Sequence, residues 1–345
     1  MSLTFETSNT TLNNYLEKLD KYLCQDISEL CINKPGILFL DYSGEWKRQE
    51  DSSIDMKWLE QFANVVATHA KQKISEKTPL LSTVLTNGLR IQIVMPPAVV
   101  LGTFAVDIRK PGSKRLEWKT YREQGAFEEI QEEIDSIPED EKELLELKKN
   151  RDYEGFLRAA IKYHKNILVS GATSTGKTTF TNLLISEISL DERLAIIEDS
   201  CEIQCPHENV VRLIYSKGNQ GLSTATVEQL LECCLRLTPS RIVLGEIRGE
   251  EAYTFLDTIY SGHDGCITSM HASSPHDAFE RLKIMIKKSE IGRAFNDATL
   301  DRFIYNKIDV ILQWKRIRGR RYISDIYYNP ELQRKMSKEH GQYIG

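Results

Sequence analysis

Residues 166–180 read NILVSGATSTGKTTF: an apolar run, a glycine loop and the opening of a helix, in the order a phosphate-binding loop requires. Gly171, Gly176, Lys177 and Thr178 satisfy GxxxxGK[ST]. The glycines let backbone N–H groups turn inward around a phosphate, the lysine brings a point charge to the β and γ phosphates, and the threonine hydroxyl can ligate Mg²⁺. The cofactor-binding set is therefore Gly171, Ala172, Thr173, Ser174, Thr175, Gly176, Lys177, Thr178 and Thr179, with Thr178 as the Mg²⁺ ligand. Phe180, Leu183, Leu184 and Ile188 continue at helical spacing. The helix thus aims its positive N-terminal end at the same anion.

Working outward, NILVS is the first of several apolar strands. RLAIIED, VVRLI, RIVLGE and CITSM follow, separated by helical patterns such as TVEQLLECCLRL and GEEAYTFLDTIYSG. This alternation predicts a parallel, helix-covered sheet with its chemistry at the strand C-termini. DVILQWKR and RRYISDIYYN, joined at Gly319, read as a closing hairpin. Upstream the texture changes. ISELCIN and ILFLDY flank a Pro35-Gly36 turn, MKWLEQFANVVATHA has helical spacing, and GLRIQIVMPP and GTFAVDIRKP are strand-like runs closed by proline. The expected organisation is an α+β N-terminal domain over 1–111, a charged linker over 112–153 and an α/β P-loop domain with a mostly parallel sheet over 154–345. The linker, containing EEIQEEIDSIPEDEKELLELKKN, reads as solvated helices anchored by Leu144, Leu145 and Leu147.

The bulk numbers fit two soluble domains. The 345 residues are 41% hydrophobic and 28% charged, and the net charge of −5 offers no chain-wide footprint for nucleic acid or a membrane. No run is long enough to cross a bilayer, and MSLTFETSNT lacks the regions of a signal peptide, so a cytoplasmic location is expected. Seven scattered cysteines make no disulfide framework, and reduced thiols are the expected state.

A nucleotide hydrolase needs carboxylates at neighbouring strand ends for water and metal. RIVLGEIRG ends its strand with Glu246, and RLAIIEDSCEI ends with Glu198 and Asp199. The residues alone leave the roles of Glu246 and Glu198 interchangeable. GHDGCITSMHASSPH, at 262–276, carries three histidines and a cysteine, but the spacings fit zinc sites poorly. It reads instead as a strand that ends at His271, followed by a helix with Ser274 as N-cap and Pro275 at its first position.

Four stretches in order, GATSTGKTT, RLAIIEDSCEI, RIVLGEIRGEEA and GHDGCITSMHASSP, resemble the hexameric secretion ATPases of type IV secretion, type II secretion and type IV pili. SELCINKPGILFLD, GLRIQIVMPP and VDIRKP look most like the traffic ATPases of type IV secretion systems. The resemblance implies a RecA-like C-terminal domain, ATP and Mg²⁺ as cofactors, and a homohexamer peripheral to the inner membrane. It also implies secretion-channel proteins and a coupling ATPase as partners, with substrate transfer or pilus biogenesis as the work done. His271 would bond the γ phosphate, with His263 in support, and Arg90 and Arg109 would lie over the nucleotide from the N-terminal domain. Pro239-Ser240-Arg241 departs from the Pro-Asp-Arg of relatives, and Thr238 stands where a second arginine is frequent. A type II or pilus motor is the alternative. A nucleic-acid translocase would want basic loops with stacking aromatics, for which only KRIRGRRY qualifies, and that stretch reads more simply as a charged sheet edge.

Overall fold

A computed structural model describes residues 7, 9–112, 117–128, 137–216 and 221–341. The N-terminal domain runs α1 (Thr10–Leu23), β1 (Glu29–Lys34), β2 (Ile37–Tyr42), β3 (Glu45–Glu50), α2 (Met56–His69), β4 (Leu80–Val84), β5 (Arg90–Val94) and β6 (Ala105–Arg109). Its six strands form an antiparallel sheet in the order β3-β2-β1-β6-β5-β4. Period-2 alternation decides its two faces. Leu30, Ile32, Ile91 and Ile108 turn to one side and pack under Leu12, Leu16, Phe62 and Val66 of the two helices. Both helices start on side-chain caps, Asn9 accepting from the Leu12 amide and Asp55 from the Trp58 amide.

Next come α3 (Trp118–Glu123) and α4 (Glu139–Lys149), two helices inside the segment read as linker; its stretch 129–136 lies outside the described residues. α4 packs on the C-terminal domain: Leu144 is fully buried there, and Asp140 pairs with Lys165 at 2.8 Å. The leucine anchor expected from the sequence is thus present.

The C-terminal domain comprises α5 (Tyr153–Lys162), β7 (Ile167–Gly171), α6 (Lys177–Ser186), β8 (Leu194–Glu198), β9 (Val210–Ile214), α7 (Val227–Leu237), β10 (Arg241–Leu244), α8 (Glu251–Tyr260), β11 (Ile267–Met270), α9 (Pro275–Ile286), α10 (Asp297–Tyr305), β12 (Val310–Ile317), β13 (Arg320–Tyr328) and α11 (Pro330–Gly341). Its seven strands run β13-β12-β7-β11-β10-β8-β9, all pairs parallel except the β12–β13 hairpin. Ile167, Val169, Ile196 and Val243 face α5 and α6, meeting Phe156, Leu184 and Ile185. Leu168, Ile197, Ile242 and Met270 face the opposite layer, where Leu230, Phe255 and Phe279 of α7, α8 and α9 cover them. The fold class read from the sequence is the one observed. Among the described residues no helix is long and apolar enough to cross a membrane, and all seven cysteines are free thiols.

The second face of the N-terminal sheet lies against the C-terminal domain through a buried polar hub. Arg193, fully buried just before β8, donates to both Asp107 oxygens at 2.9 and 3.0 Å, to Asn33 Oδ1 at 2.9 Å and to the Leu237 carbonyl at 2.8 Å. Thr238 Oγ1 donates to Glu29 Oε1 at 3.0 Å. Glu29, Cys31 and Asp107 cluster closely enough to resemble a metal-ligand set, but the Arg193 guanidinium already engages both Asp107 oxygens. Arg193 precedes β8 and Thr238 precedes β10, so this contact is made at the N-terminal ends of the parallel strands. The glycine loop is at the other end.

Candidate active site

Leaving β7, the chain turns through the loop with strict demands on its glycines. A Cβ on Gly171 would stand 2.8 Å from Thr175 Oγ1 and from the Trp314 carbonyl oxygen, and Gly176 takes φ +103 as the cap of α6. Lys177 folds back over the loop and donates to the carbonyls of Gly171 at 2.9 Å and Ala172 at 3.2 Å. Its ammonium spans the hollow where phosphate oxygens would lie. Burial lowers its pKa, Glu246 opposing and Arg248 adding to the effect.

β11 lies beside β7 and ends at His271, as the sequence suggested. His271 Nδ1 lies 3.1 Å from Lys177 Nζ and 3.0 Å from the Gly171 carbonyl oxygen, and its Nε2 stands 2.9 Å from Glu246 Oε1, an ion-pair distance at which that oxygen still makes no hydrogen bond. Lysine, histidine and glutamate are thus neighbours across the ends of β7, β11 and β10. Ser274 caps α9 by accepting from the Asp277 amide, with Pro275 at the first position. His276 is exposed in the first turn of α9. His263 lies at the opposite end of β11, where Cys266 Sγ donates to its carbonyl at 3.0 Å; it does not support the phosphate site of its own chain.

The two glutamates, indistinguishable from sequence, have different surroundings. Glu198 is 3% exposed; its Oε2 accepts from the Glu202 and Ile203 amides at 2.9 and 3.0 Å, and its Oε1 meets Arg212 at 3.1 Å. Burial raises its pKa, and those amides and Arg212 oppose the rise. Its oxygens are committed to the loop after β8, although it too lines the cavity. Glu246 lines the same cavity with an oxygen that makes no hydrogen bond. Its Oε2 accepts from Arg248 Nε at 2.7 Å with Nη2 2.5 Å away, and the unbonded oxygen is Oε1, His271 Nε2 standing 2.9 Å from it. Arg248 continues to Asp199 Oδ2 at 2.9 Å. Burial alone would lower the Arg248 pKa; pairing with Asp199 and Glu246 outweighs it and raises the pKa far above its ordinary value.

Together these groups line a cavity of about 280 Å³ shared by Lys177, Thr178, Glu198, Asp199, Glu246, Arg248 and His271. Arg248 was not singled out in the sequence. Its signal was an arginine two places beyond a strand-end carboxylate, weak without the fold. Arg90 and Arg109 do not join this cavity. They are exposed, directly paired across β5 and β6, on the sheet face and at the end that carry Glu29 and Asp107, toward the far ends of the C-terminal strands. Arg241, at the start of β10, is buried on Glu192 at 2.6 and 2.9 Å, again away from the loop.

A glycine loop capping α6, a lysine over it and strand-end carboxylates beside it define a P-loop nucleotide-binding protein on a RecA-like sheet. The family described as Type II/IV secretion system protein matches residues 140–331. The type IV secretion system protein VirB11 of Bartonella quintana is 36% identical, covering 95% of this chain and 96% of that protein. VirB11 of Brucella suis is 38% identical, covering 96% and 94%. The solved VirB11 ATPase of the Brucella suis type IV secretion system, in complex with sulphate, superposes with a TM-score of 0.89 over 94% of this chain and 96% of that one, at 38% identity. The chain belongs to the VirB11 family of type IV secretion system proteins.

Proposed function

We propose that this protein hydrolyses ATP in a hexameric ring at the cytoplasmic face of the inner membrane, and that the work drives substrate transfer or pilus biogenesis by a type IV secretion channel and its coupling ATPase. The observation that carries the reading is the convergence of Lys177, His271 and the unsatisfied Glu246 Oε1 at the mouth of the glycine loop.

The residues fit both nucleotide and metal. Gly171 leaves room that a side chain would fill, the α6 N-terminus faces that room, and Thr178 and Asp199 offer hard oxygens for Mg²⁺. The bound metal supplies charge neutralisation at the β and γ phosphates. Lys177 exchanges its two carbonyl partners for phosphate oxygens, which relieves its desolvation. Glu246 orients the attacking water through its unsatisfied Oε1, while His271 stands beside the transferring group. Glu198 keeps the loop after β8 in shape.

Arg90 and Arg109 enter through the ring. In their own chain they are at the wrong end of the sheet, and strands of four or five residues put that end roughly 15 Å away. We assign them to a neighbouring subunit's nucleotide, where each guanidinium stabilises charge on the transferring phosphoryl group. ATP then closes the subunit junction and hydrolysis loosens it.

The test is Lys177→Ala. Steady-state turnover of the purified variant should fall to background with its melting temperature unchanged, because the lysine meets phosphate and not the core. Turnover at the wild-type rate would remove the proposal.

A further inference from the structure

Lys315, Arg316, Arg318, Arg320 and Arg321 crowd the tip of the β12–β13 hairpin in a chain whose net charge is −5. A charged edge keeps other strands away, but it does not require two cations directly opposite each other. Arg316 and Arg321 are so paired in the register of the two strands, which puts both side chains on one face. Like charges at directly opposed positions destabilise a sheet. The face is the one that carries Trp314, two places before Arg316, whose ring lies 4.9 Å from that of Phe180 in α6, so the arginine pair is turned toward α6 and the glycine loop. Gly176, the residue that caps α6, fits this placement: a Cβ there would stand 3.4 Å from Arg321 Cδ. Arg316 lines the hollow that Ala172, Thr173 and His271 of the nucleotide site also line. Arg320 belongs to the other face, its guanidinium 5.8 Å from the Tyr322 ring. Among the described residues the guanidinium groups of Arg316 and Arg321 make neither an ion pair nor a hydrogen bond.

Direction fixes which part of a nucleotide arrives at this pair. β7 carries the glycine loop, with β11 on one side of it and β12 on the other. Glu246 and His271 stand at the ends of β10 and β11, so the γ phosphate points that way and the nucleoside end leaves the loop on the side of β12. The phosphate nearest the nucleoside is the α phosphate. Lys177 and the metal serve the β and γ phosphates, so side-chain charge for the α phosphate has to come from elsewhere. We infer that Arg321, with Arg316 beside it, binds the α phosphate of the nucleotide held by the same chain, an inference that rests on the reading of the loop as a nucleotide site. The two guanidinium groups converge on one anion, and its charge offsets the repulsion that they exert on each other without it.

The test uses the full-length protein with Arg321→Gln, Arg321→Lys and the double change Arg316→Gln with Arg321→Gln. In calorimetry ATP should bind Arg321→Gln about tenfold more weakly than wild type, the loss expected for one charge-assisted contact, and the double variant more weakly still. Arg321→Lys should recover most of the affinity, because a phosphate accepts a point charge. The KM for ATP should rise by a similar factor in Arg321→Gln while kcat at saturating ATP stays within about twofold, since the γ end of the site is untouched. Without nucleotide the double variant should melt at or above the wild-type temperature, because two opposed charges are gone. Wild-type affinity in the double variant overturns the inference. An Arg321→Lys variant as weak as Arg321→Gln also overturns it, by placing the planar guanidinium on the base instead of the phosphate. So does a fall in kcat of about a hundredfold or more, the mark of a group that acts on the transferring phosphoryl, and so does a lower melting temperature without nucleotide, the mark of a structural pair. Failure of the wild type itself to bind ATP would be a different result, which removes the hydrolytic proposal and this inference together.

Discussion

Glu198→Gln and Glu246→Gln should fail in opposite ways, and the contrast tests the division of labour between the two carboxylates. In Glu198→Gln the amide oxygen can keep the Glu202 and Ile203 amides, but the amide nitrogen then points its hydrogens at Arg212, which loses its partner at 3.1 Å. Losing a charge-assisted bond, with the Ile203 carbonyl at 2.8 Å left to Arg212, costs about 1.5–3 kcal/mol. Glu246→Gln costs less stability, about 1 kcal/mol or below, because Arg248 is 43% exposed and retains Asp199. Its turnover should fall by roughly 10² to 10⁴ with ATP binding preserved, the range for a positioned acid–base group. Urea unfolding and single-turnover hydrolysis on both variants, scored per folded molecule, separate the effects. A Glu198 variant of wild-type stability with the larger rate loss would refute the assignment and exchange the two roles.

Two further outcomes follow from the domain interface. Mixing Arg109→Ala with Lys177→Ala should restore part of the turnover that neither has alone, because a mixed ring pairs an intact loop with an intact arginine; an arginine of this class is worth about 10³ to 10⁵ in rate, and no recovery would place it within one chain. Burial, with Asp107 adding, pushes Glu29 up to about 7 from 4.5, so its contribution to stability is full below about 4.5 and is lost as pH rises through about 7; Glu29→Gln escapes a penalty on the order of 3 kcal/mol at pH 8, and melting curves of variant and wild type should coincide near pH 4.5 and diverge in the variant's favour at pH 8.

What the sequence revealed and what it hid divide along a physical line. The glycine loop, the helix it opens and the apolar strands are local: their signals lie within a dozen residues, and periodicity reports them directly. Ser274 and Pro275 at the start of α9 were legible for the same reason, as was the leucine anchor of α4. α1, β3 and β4 escaped notice because mixed polar content blurred their pattern; β3, for example, is almost wholly exposed.

The parts that decide chemistry are pairings between distant positions. Arg248 reaches Asp199 across 49 positions, and Arg193 reaches Asp107 across 86. No local pattern announces either, since an arginine reads as surface until the fold buries it. The same distance effect explains why Glu198 and Glu246 could not be told apart. Each ends an apolar strand, and only the backbone amides that converge on Glu198 give it surroundings unlike those of Glu246. Arg90 and Arg109 are the extreme case. Their place on the sheet face toward the C-terminal domain was set by alternation, but their end of that face is the wrong one for their own nucleotide. On the proposed reading they serve the next subunit, whose nucleotide site has this same sequence, and nothing in the order of residues says which copy an arginine serves.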